Sequence, residues 1–350
     1  MPPVPRLAAI ATAVPGYPLD QEAAAEHVKR LFAGAPQLDH LLPVFANSGI
    51  RRRYSAVPLN WFAEPHGWPE RNSLYLDTAV ELLDAVAGRV LDAAGIAADD
   101  IGAIVVASTT GIATPSLDAV LIERLRLPRN IQRLPIFGLG CAGGALGLAR
   151  AATIATAMPD RAVLFLVVEL CSLTFRRDDL SKSNIVASAL FGDGAAGLLL
   201  RCGGDGPAIA ATGEHTWPDS LDVMGWEVVE DGLKPVFSRD IPRLVAAELG
   251  PVAAGFLAQR SLASADIGRF ACHPGGPKVI AACEEAFGLA PGTLDHERTV
   301  LRDYGNMSAA SVLFVLDRVL ASASKEPWRH ALMTALGPGF TAGFVLLQNL

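Results

Sequence analysis

The chain has 350 residues, room for about two domains of ordinary size. Apolar residues make up 51% and charged residues 19%, with a mean hydropathy of +0.33, which excludes a disordered chain. A formal charge of −7 and a pI near 5.5 argue against a nucleic-acid binder, while leaving room for a local arginine cluster that holds an anion.

The start, MPPVPRLAAIATAVPG, mimics a signal peptide, but its apolar run and single arginine fit a first strand over residues 7–13 better. No apolar stretch reaches the ~18–20 residues of a bilayer span, so no membrane association is expected. Residues 79–94 read as an amphipathic helix, with Leu82, Leu83, Val86 and Val90 at helical spacing. Residues 104–107 form a buried strand. Residues 143–158 are rich in small residues and predict a helix deep in the core. Residues 163–168 are all apolar, as suits a strand covered on both faces. The five cysteines, at 141, 171, 202, 272 and 283, are odd in number, widely spaced and without a CxxC pair. That usage predicts a reducing, cytoplasmic setting and no metal site.

An internal repeat organises the chain. LDAAGIAADDIG (91–102) resembles LAQRSLASADIG (257–268), and each leads into a short strand and a loop. FGDGAAGLLL (191–200) is echoed by GPGFTAGFVLL (337–347). Two matches in the same order predict a duplicated α/β half, with domains 1–204 and 205–350 and a seam in the breaker-rich RCGGDGP.

Cys141 sits in Phe137-Gly138-Leu139-Gly140-Cys141-Ala142-Gly143-Gly144, between a strand and a helix. A thiol at a helix N-terminus feels the positive end of the macrodipole, which predicts a lowered pKa and a ready nucleophile. A buried structural cysteine is the plain alternative. Gly138-x-Gly140-x-x-Gly143 also fits the dinucleotide fingerprint. Asp160 precedes the next strand rather than ending it, so NAD binding is rejected. His273 lies at a strand end before Pro274-Gly275-Gly276, and Asn306 lies just before a helix over residues 311–320. Each alone reads as a packed histidine or an N-cap. With Cys141 they make a Cys, His, Asn set at Gly-rich junctions.

Two chemistries use such a set. A papain-like hydrolase fits the spacing of on the order of 130 residues from Cys141 to His273, but its cysteine signature is missing. Thioester condensation needs an acyl-accepting cysteine, with neutral His and Asn donors facing one carbonyl oxygen.

GCAGG around Cys141, ALFGDGAAG (189–197), HPGGP (273–277), YGNMSAAS (304–311) and GPGF (337–340) resemble the type III polyketide synthases, chalcone-synthase-like members of the thiolase superfamily. The motifs occur in family order along nearly the whole chain. The resemblance implies an α/β, thiolase-like duplicated αβαβα five-layer fold and a homodimer. It implies an acyltransferase with Cys141 as acyl acceptor, and His273 and Asn306 as the groups that support malonyl-CoA decarboxylation. His273 would also keep Cys141 ionised. No metal or organic cofactor is implied, since CoA enters within acyl-CoA and malonyl-CoA.

The same resemblance places Phe191 as gatekeeper and Arg51, Arg52 and Arg53, with Gly275 and Gly276, as CoA contacts. Substrate contacts fall on Thr109, Thr110, Thr114, Cys171, Thr174, Trp226, Ser308, Gly337, Pro338 and Gly339. Thr114 stands where plant members carry a methionine reaching into the partner's cavity, and Trp226 where they carry a small residue. TTGIATPSLDA and MGWEVVEDGLKPVFSRDIP resemble bacterial members that use fatty acyl starters and make alkylpyrones or alkylresorcinols. The alternatives are a ketoacyl synthase III, which condenses once on an acyl carrier protein, and a non-catalytic acyl-CoA-binding homologue. Loading by acyl carrier protein instead of acyl-CoA stays open.

Overall fold

The repeated halves meet at the centre of one nine-stranded sheet. The computed structural model describes residues 3–35 and 37–349. In chain order its strands are β1 (Pro5–Ala13), β2 (Tyr17–Asp20), β3 (Arg52–Ser55), β4 (Ile101–Ala107), β5 (Gln132–Ile136), β6 (Ala162–Leu170) and β7 (Asp193–Cys202). They continue with β8 (Ala208–Thr216), β9 (Met224–Val229), β10 (Gly232–Phe237), β11 (Arg269–Cys272), β12 (His330–Gly337) and β13 (Thr341–Gln348). The large sheet runs β11-β12-β13-β8-β1-β7-β6-β4-β5, while β2 with β3 and β9 with β10 form two-stranded ribbons.

The sheet mirrors itself about the contact of β1 with β8, which holds one pairing, Arg6 opposite Ala208. On one side β4 is parallel to β6, and β6, β7 and β1 follow antiparallel. On the other, β11 is parallel to β12, and β12, β13 and β8 follow antiparallel. The two sequence repeats therefore fall on equivalent elements: helix into β4 or β11, then β7 or β13. Only β5, parallel to β4 at the sheet edge, has no counterpart.

Burial sorts the helices into layers. The helices Gly143–Ala157 and Ser311–Ser322 lie between the half-sheets, in one core with Val105 and Phe165 from one and Met333 and Val345 from the other. Trp68–Ala94 covers the outer face of the first half through Leu83, Val86 and Val90. Gly250–Ala258 and Pro277–Ala286 cover the second through Leu257 and Ile280. Outer helix, sheet, inner helices, sheet, outer helix make the five layers expected. β6 is buried along its whole length because helices lie on both its faces.

Two expectations change. The helix read from residue 79 begins at Trp68, with Pro69 in its first turn, and ends at Gly95 in a left-handed cap (φ +61°). The continuous helical run Ile241–Ala258 is long and apolar enough to cross a membrane by length and composition. Arg243 and Glu248 hid it from a search for unbroken apolar residues. Its buried side, Val245, Leu249, Ala253 and Leu257, repeats every four residues and joins the core of the second half, as a core helix of a folded domain does.

Small residues in the inner helix follow from close approach. A Cβ on Gly144 would lie 2.4 Å from the Ala309 carbonyl oxygen, and one on Gly147 would lie 2.6 Å from the Phe165 ring. Gly144→Ala should therefore cost about 1–3 kcal/mol by overpacking, read as a lower urea midpoint with an unchanged slope. An unchanged midpoint would contradict this packing.

Candidate active site

Three loops from both halves converge at the start of the inner helices. Cys141 lies in the 3₁₀ turn Gly140–Ala142 that leads into Gly143–Ala157. The turn is pressed against the end of β12. Gly140 has φ +47°, and a Cβ on it would sit 2.6 Å from Cδ of Pro338. Only glycine combines that conformation with that contact. A Cβ on Gly337 would likewise lie 2.4 Å from the Leu139 carbonyl oxygen. The predicted residues Gly337, Pro338 and Gly339 are thus the turn that backs the cysteine loop. On the other side, the Gly140 N–H donates to Thr109 Oγ1 (3.1 Å).

His273 follows β11, and its N–H donates to the Thr334 carbonyl on β12 (2.9 Å). Thr334 precedes Gly337 by three strand residues, roughly 10 Å of chain. Asn306 is held by its backbone: its N–H donates to Leu190 O (2.8 Å), and its carbonyl accepts from the Gly192 N–H (3.0 Å). Phe191 is bridged to Asn306 between those two bonds. Asn306 Nδ2 donates to Gly275 O (3.2 Å), and its Oδ1 accepts from the Ser308 N–H (2.9 Å). Ser308, strained at φ +46°, turns its hydroxyl to the Cys141 thiol. Hydrogen bonds therefore run from Ser308, whose hydroxyl lies near the Cys141 thiol, through Asn306 to the His273 loop. Gly275 belongs to that path rather than to a basic surface, and Gly276 caps the helix Pro277–Ala286.

The electrostatics differ from the expected ion pair. Burial pushes the Cys141 thiol up to about 12, opposed in part by the Ser308 hydroxyl. The residue keeps some exposed surface, so the thiol is half-buried rather than sealed. Burial also pushes His273 down to about 4, and neither ring nitrogen has a hydrogen-bond partner among the described residues. The resting pair is therefore neutral. The expected lowering by the helix loses because removing the thiolate from water outweighs a field that fades within one turn. A free imidazole nitrogen can still take the thiol proton during attack, or donate to a carbonyl oxygen.

Sequence reading missed Glu169. It ends an otherwise apolar β6, and a lone carboxyl in a strand covered on both faces was the available signal. Its Oε2 accepts from the Thr109 N–H (3.1 Å), and burial pushes it up to about 8, so it is protonated at neutral pH. Thr110 lies beside it, its Oγ1 accepting from the Leu170 N–H (2.9 Å). Thr109 and Thr110 thus join the cysteine loop to this carboxyl.

Beyond the loops stands an aromatic wall. Phe191 meets Trp226 and Phe237 edge-on, with ring centroids 6.0 and 5.7 Å apart. Behind it a cavity of about 50 Å³ is lined by Cys171, Thr174 and Phe191 together with Leu19, Val28 and Phe62. Thr114 is not part of this chain's site, for it is exposed on the loop after β4, two residues beyond the exposed Ile112.

The expected arginine patch is also corrected. On β3 side chains alternate, so three successive arginines cannot face one phosphate group. Arg51 is exposed and pairs with Asp303 (3.4 Å). Arg52 lies 5.5 Å over the Tyr54 ring. Arg53 is 1% exposed and lines the cavity behind Phe191, out of reach of CoA phosphates in solvent.

Comparison with known proteins agrees along the chain. Family models of the chalcone and stilbene synthases match residues 5–205 (N-terminal domain) and 209–350 (C-terminal domain). The chain is 40% identical to a 1,3,6,8-tetrahydroxynaphthalene synthase of Streptomyces peucetius subsp. caesius, covering 98% of this chain and 92% of that one. It is 38% identical to a putative chalcone synthase of Bacillus subtilis strain 168, covering 97% of each. It superposes with a TM-score of 0.92 on the crystal structure of the Streptomyces coelicolor 1,3,6,8-tetrahydroxynaphthalene synthase. The identity there is 29%, with 98% of this chain and 99% of that chain covered.

A thiol held above its ordinary range stays protonated until the solution is strongly alkaline. Iodoacetamide labelling of Cys141, followed by peptide mass spectrometry, should therefore accelerate about tenfold per pH unit from pH 7 to 10. A rate that levels off below pH 8 would mean a resting thiolate and overturn the neutral pair.

Proposed function

The chain belongs to the chalcone and stilbene synthase family and is a type III polyketide synthase, an enzyme that condenses malonyl-CoA, and on that premise we propose how its own residues divide the work. The observation that carries the assignment is the convergence of Cys141 and Ser308 with Asn306, which hydrogen-bonds to Ser308 and to the His273 loop. Cys141 attacks the starter thioester, its proton passes to His273 and from there to the departing CoA sulfur, so CoA leaves as the free thiol and His273 is neutral again. Malonyl-CoA then loses CO2, and the electron pair of the broken bond becomes the enolate of a CoA thioester. His273 and Asn306 Nδ2 donate to that enolate oxygen, which suits neutral donors better than charged ones. The enolate carbon attacks the Cys141 thioester, and the cysteine sulfur departs as the new carbon–carbon bond forms. Repetition builds the poly-β-keto chain, and closure onto itself releases the product.

The starter we assign is a medium- or long-chain fatty acyl-CoA, giving an alkylpyrone or alkylresorcinol. Support comes from the largely apolar lining of the cavity past Cys171, where Leu19, Val28, Leu59 and Phe62 face the space an acyl tail enters. Loading by acyl-CoA is favoured over acyl carrier protein, as in the family's use of CoA thioesters. A second copy of the chain covers the exposed Ile112 and Phe137 in this reading, beside Thr114. A second product reading rests on the relatives, two of which are 1,3,6,8-tetrahydroxynaphthalene synthases, at 40% and 29% identity. It predicts a polyhydroxylated naphthalene.

Purified protein given malonyl-CoA and a ladder of acyl-CoA starters, with Cys141→Ala beside it, decides between them by product mass. Tri- or tetraketide pyrones or resorcinols from fatty starters, lost in the variant, are expected. A tetrahydroxynaphthalene without any added starter would replace the fatty-starter reading and keep the condensing one.

A further inference from the structure

The cavity behind Phe191 holds a charge that the condensing cycle leaves unused. Arg53 faces inward from β3, and its stem is clamped by backbone. A Cβ on Gly192 would stand 3.2 Å from Arg53 Cβ, and one on Gly305 would stand 3.3 Å from it. The side chain is buried, 1% exposed, and does not snorkel to solvent. Neither its Nε nor its Nη1 has a hydrogen-bond partner among the described residues.

Asp193 is the carboxylate whose field reaches Arg53, but its oxygens are occupied. Oδ1 accepts from the Ser172 N–H (2.7 Å), and Oδ2 accepts from the Ala56 N–H (2.7 Å) and the Ser172 hydroxyl (2.5 Å). The hydroxyls of Thr174 and Ser188, which also line the cavity, do not accept from Arg53 either. Thr174 donates to the Cys171 carbonyl (2.7 Å) and Ser188 to the Ile185 carbonyl (2.8 Å). His27, from the helix Gln21–Leu31, brings a second unused group, its buried Nε2. A largely apolar cavity thus contains a buried cation and an imidazole nitrogen that make no hydrogen bond within it.

A buried guanidinium whose N–H groups lack hydrogen bonds is costly even with the Asp193 charge nearby, and an arriving carboxylate relieves that cost. The cavity also borders the catalytic centre, because Cys171 and Phe191 line it and Phe191 is bridged to Asn306. At about 10–15 Å³ for each water-sized group, its 50 Å³ takes a carboxylate and one or two methylenes. A plain alkyl end placed there would bury the guanidinium against carbon.

We propose that this cavity is a carboxylate subsite, in which Arg53 receives the far end of a starter that is the CoA monothioester of a dicarboxylic acid. The inference rests on Cys141 as acyl acceptor and narrows the starter assigned above to one whose apolar tail ends in an anion rather than a methyl group. Arg53 then acts as a specificity-determining residue. Its planar fork suits a carboxylate, and a lysine in its place offers the charge without the fork.

The test is competition for Cys141. Protein is mixed with equal amounts of two thioesters of matched length, a straight-chain monocarboxylic acyl-CoA and its ω-carboxylated counterpart, over a ladder from succinyl to suberoyl. Intact-protein mass spectrometry reads which acyl group Cys141 carries. At one or more lengths the ω-carboxylated partner should win by about tenfold or more. Arg53→Gln should abolish the preference and Arg53→Lys should retain part of it. Equal loading of both series by the unaltered protein overturns the proposal alone, whether or not the variants fold. A preference that survives in folded Arg53→Gln also overturns it. No acylation of Cys141 by any thioester overturns the condensing reading and this one together.

Discussion

The site depends on how closely the two inner helices begin. A Cβ on Gly143 would lie 3.1 Å from the Ala309 Cβ, and at Gly144 there is no space for one beside the Ala309 carbonyl. Cys141 stands two residues before the first of these contacts, and Ser308 immediately precedes Ala309. Backbone contact at the helix starts therefore brings a thiol from one half against a hydroxyl from the other, with Asn306 two residues upstream. A duplicated fold has two equivalent inner helices, and the loops before them become neighbours when nothing bulky separates them. Cys141, Ser308 and Asn306, far apart in the chain, converge by that route.

Burial then sets the charge of each group differently. Cys141 is pushed up and His273 down, so both rest neutral. Glu169 is pushed up to about 8 and joins them. Arg53, although lowered to about 10, stays charged at neutral pH. A chamber whose resting nucleophile, base and carboxyl are all neutral places little field on an incoming thioester. Charge then develops only as the proton leaves Cys141 or the enolate forms. Preorganised neutral donors are most effective under those conditions, because their strength rises as the reacting oxygen gains charge. Arg53 sits behind Phe191, lining a cavity with Cys171.

Much of the fold was legible because its signals are local or repeated. The two repeats map onto helix-to-strand units in each half, and the all-apolar run at 163–168 marks a strand covered on both faces. The cysteine, histidine and asparagine were legible because each lies in a Gly-rich junction, where backbone geometry leaves a mark in the sequence. What escaped depends on direction and context. Ile241–Ala258 was hidden by two charged residues that face away from the packed stripe. Glu169 looked like an interruption of a strand, since nothing local says that its neighbours come from loops 60 and 140 residues away.

The three arginines show the same limit in its sharpest form. As a run they read as one basic patch, but strand alternation and a cramped backbone send each to a different environment. Arg51 meets Asp303, Arg52 lies over Tyr54, and Arg53 is turned into the core against Gly192 and Gly305. Glycine at those two positions has a consequence beyond flexibility. A side chain at either would collide with the Arg53 stem or with the backbone of Leu190 or Tyr304. The strand that carries Phe191 and the loop that carries Asn306 therefore approach as closely as they do with the arginine packed beside them. The gate, the asparagine and the buried cation are packed side by side.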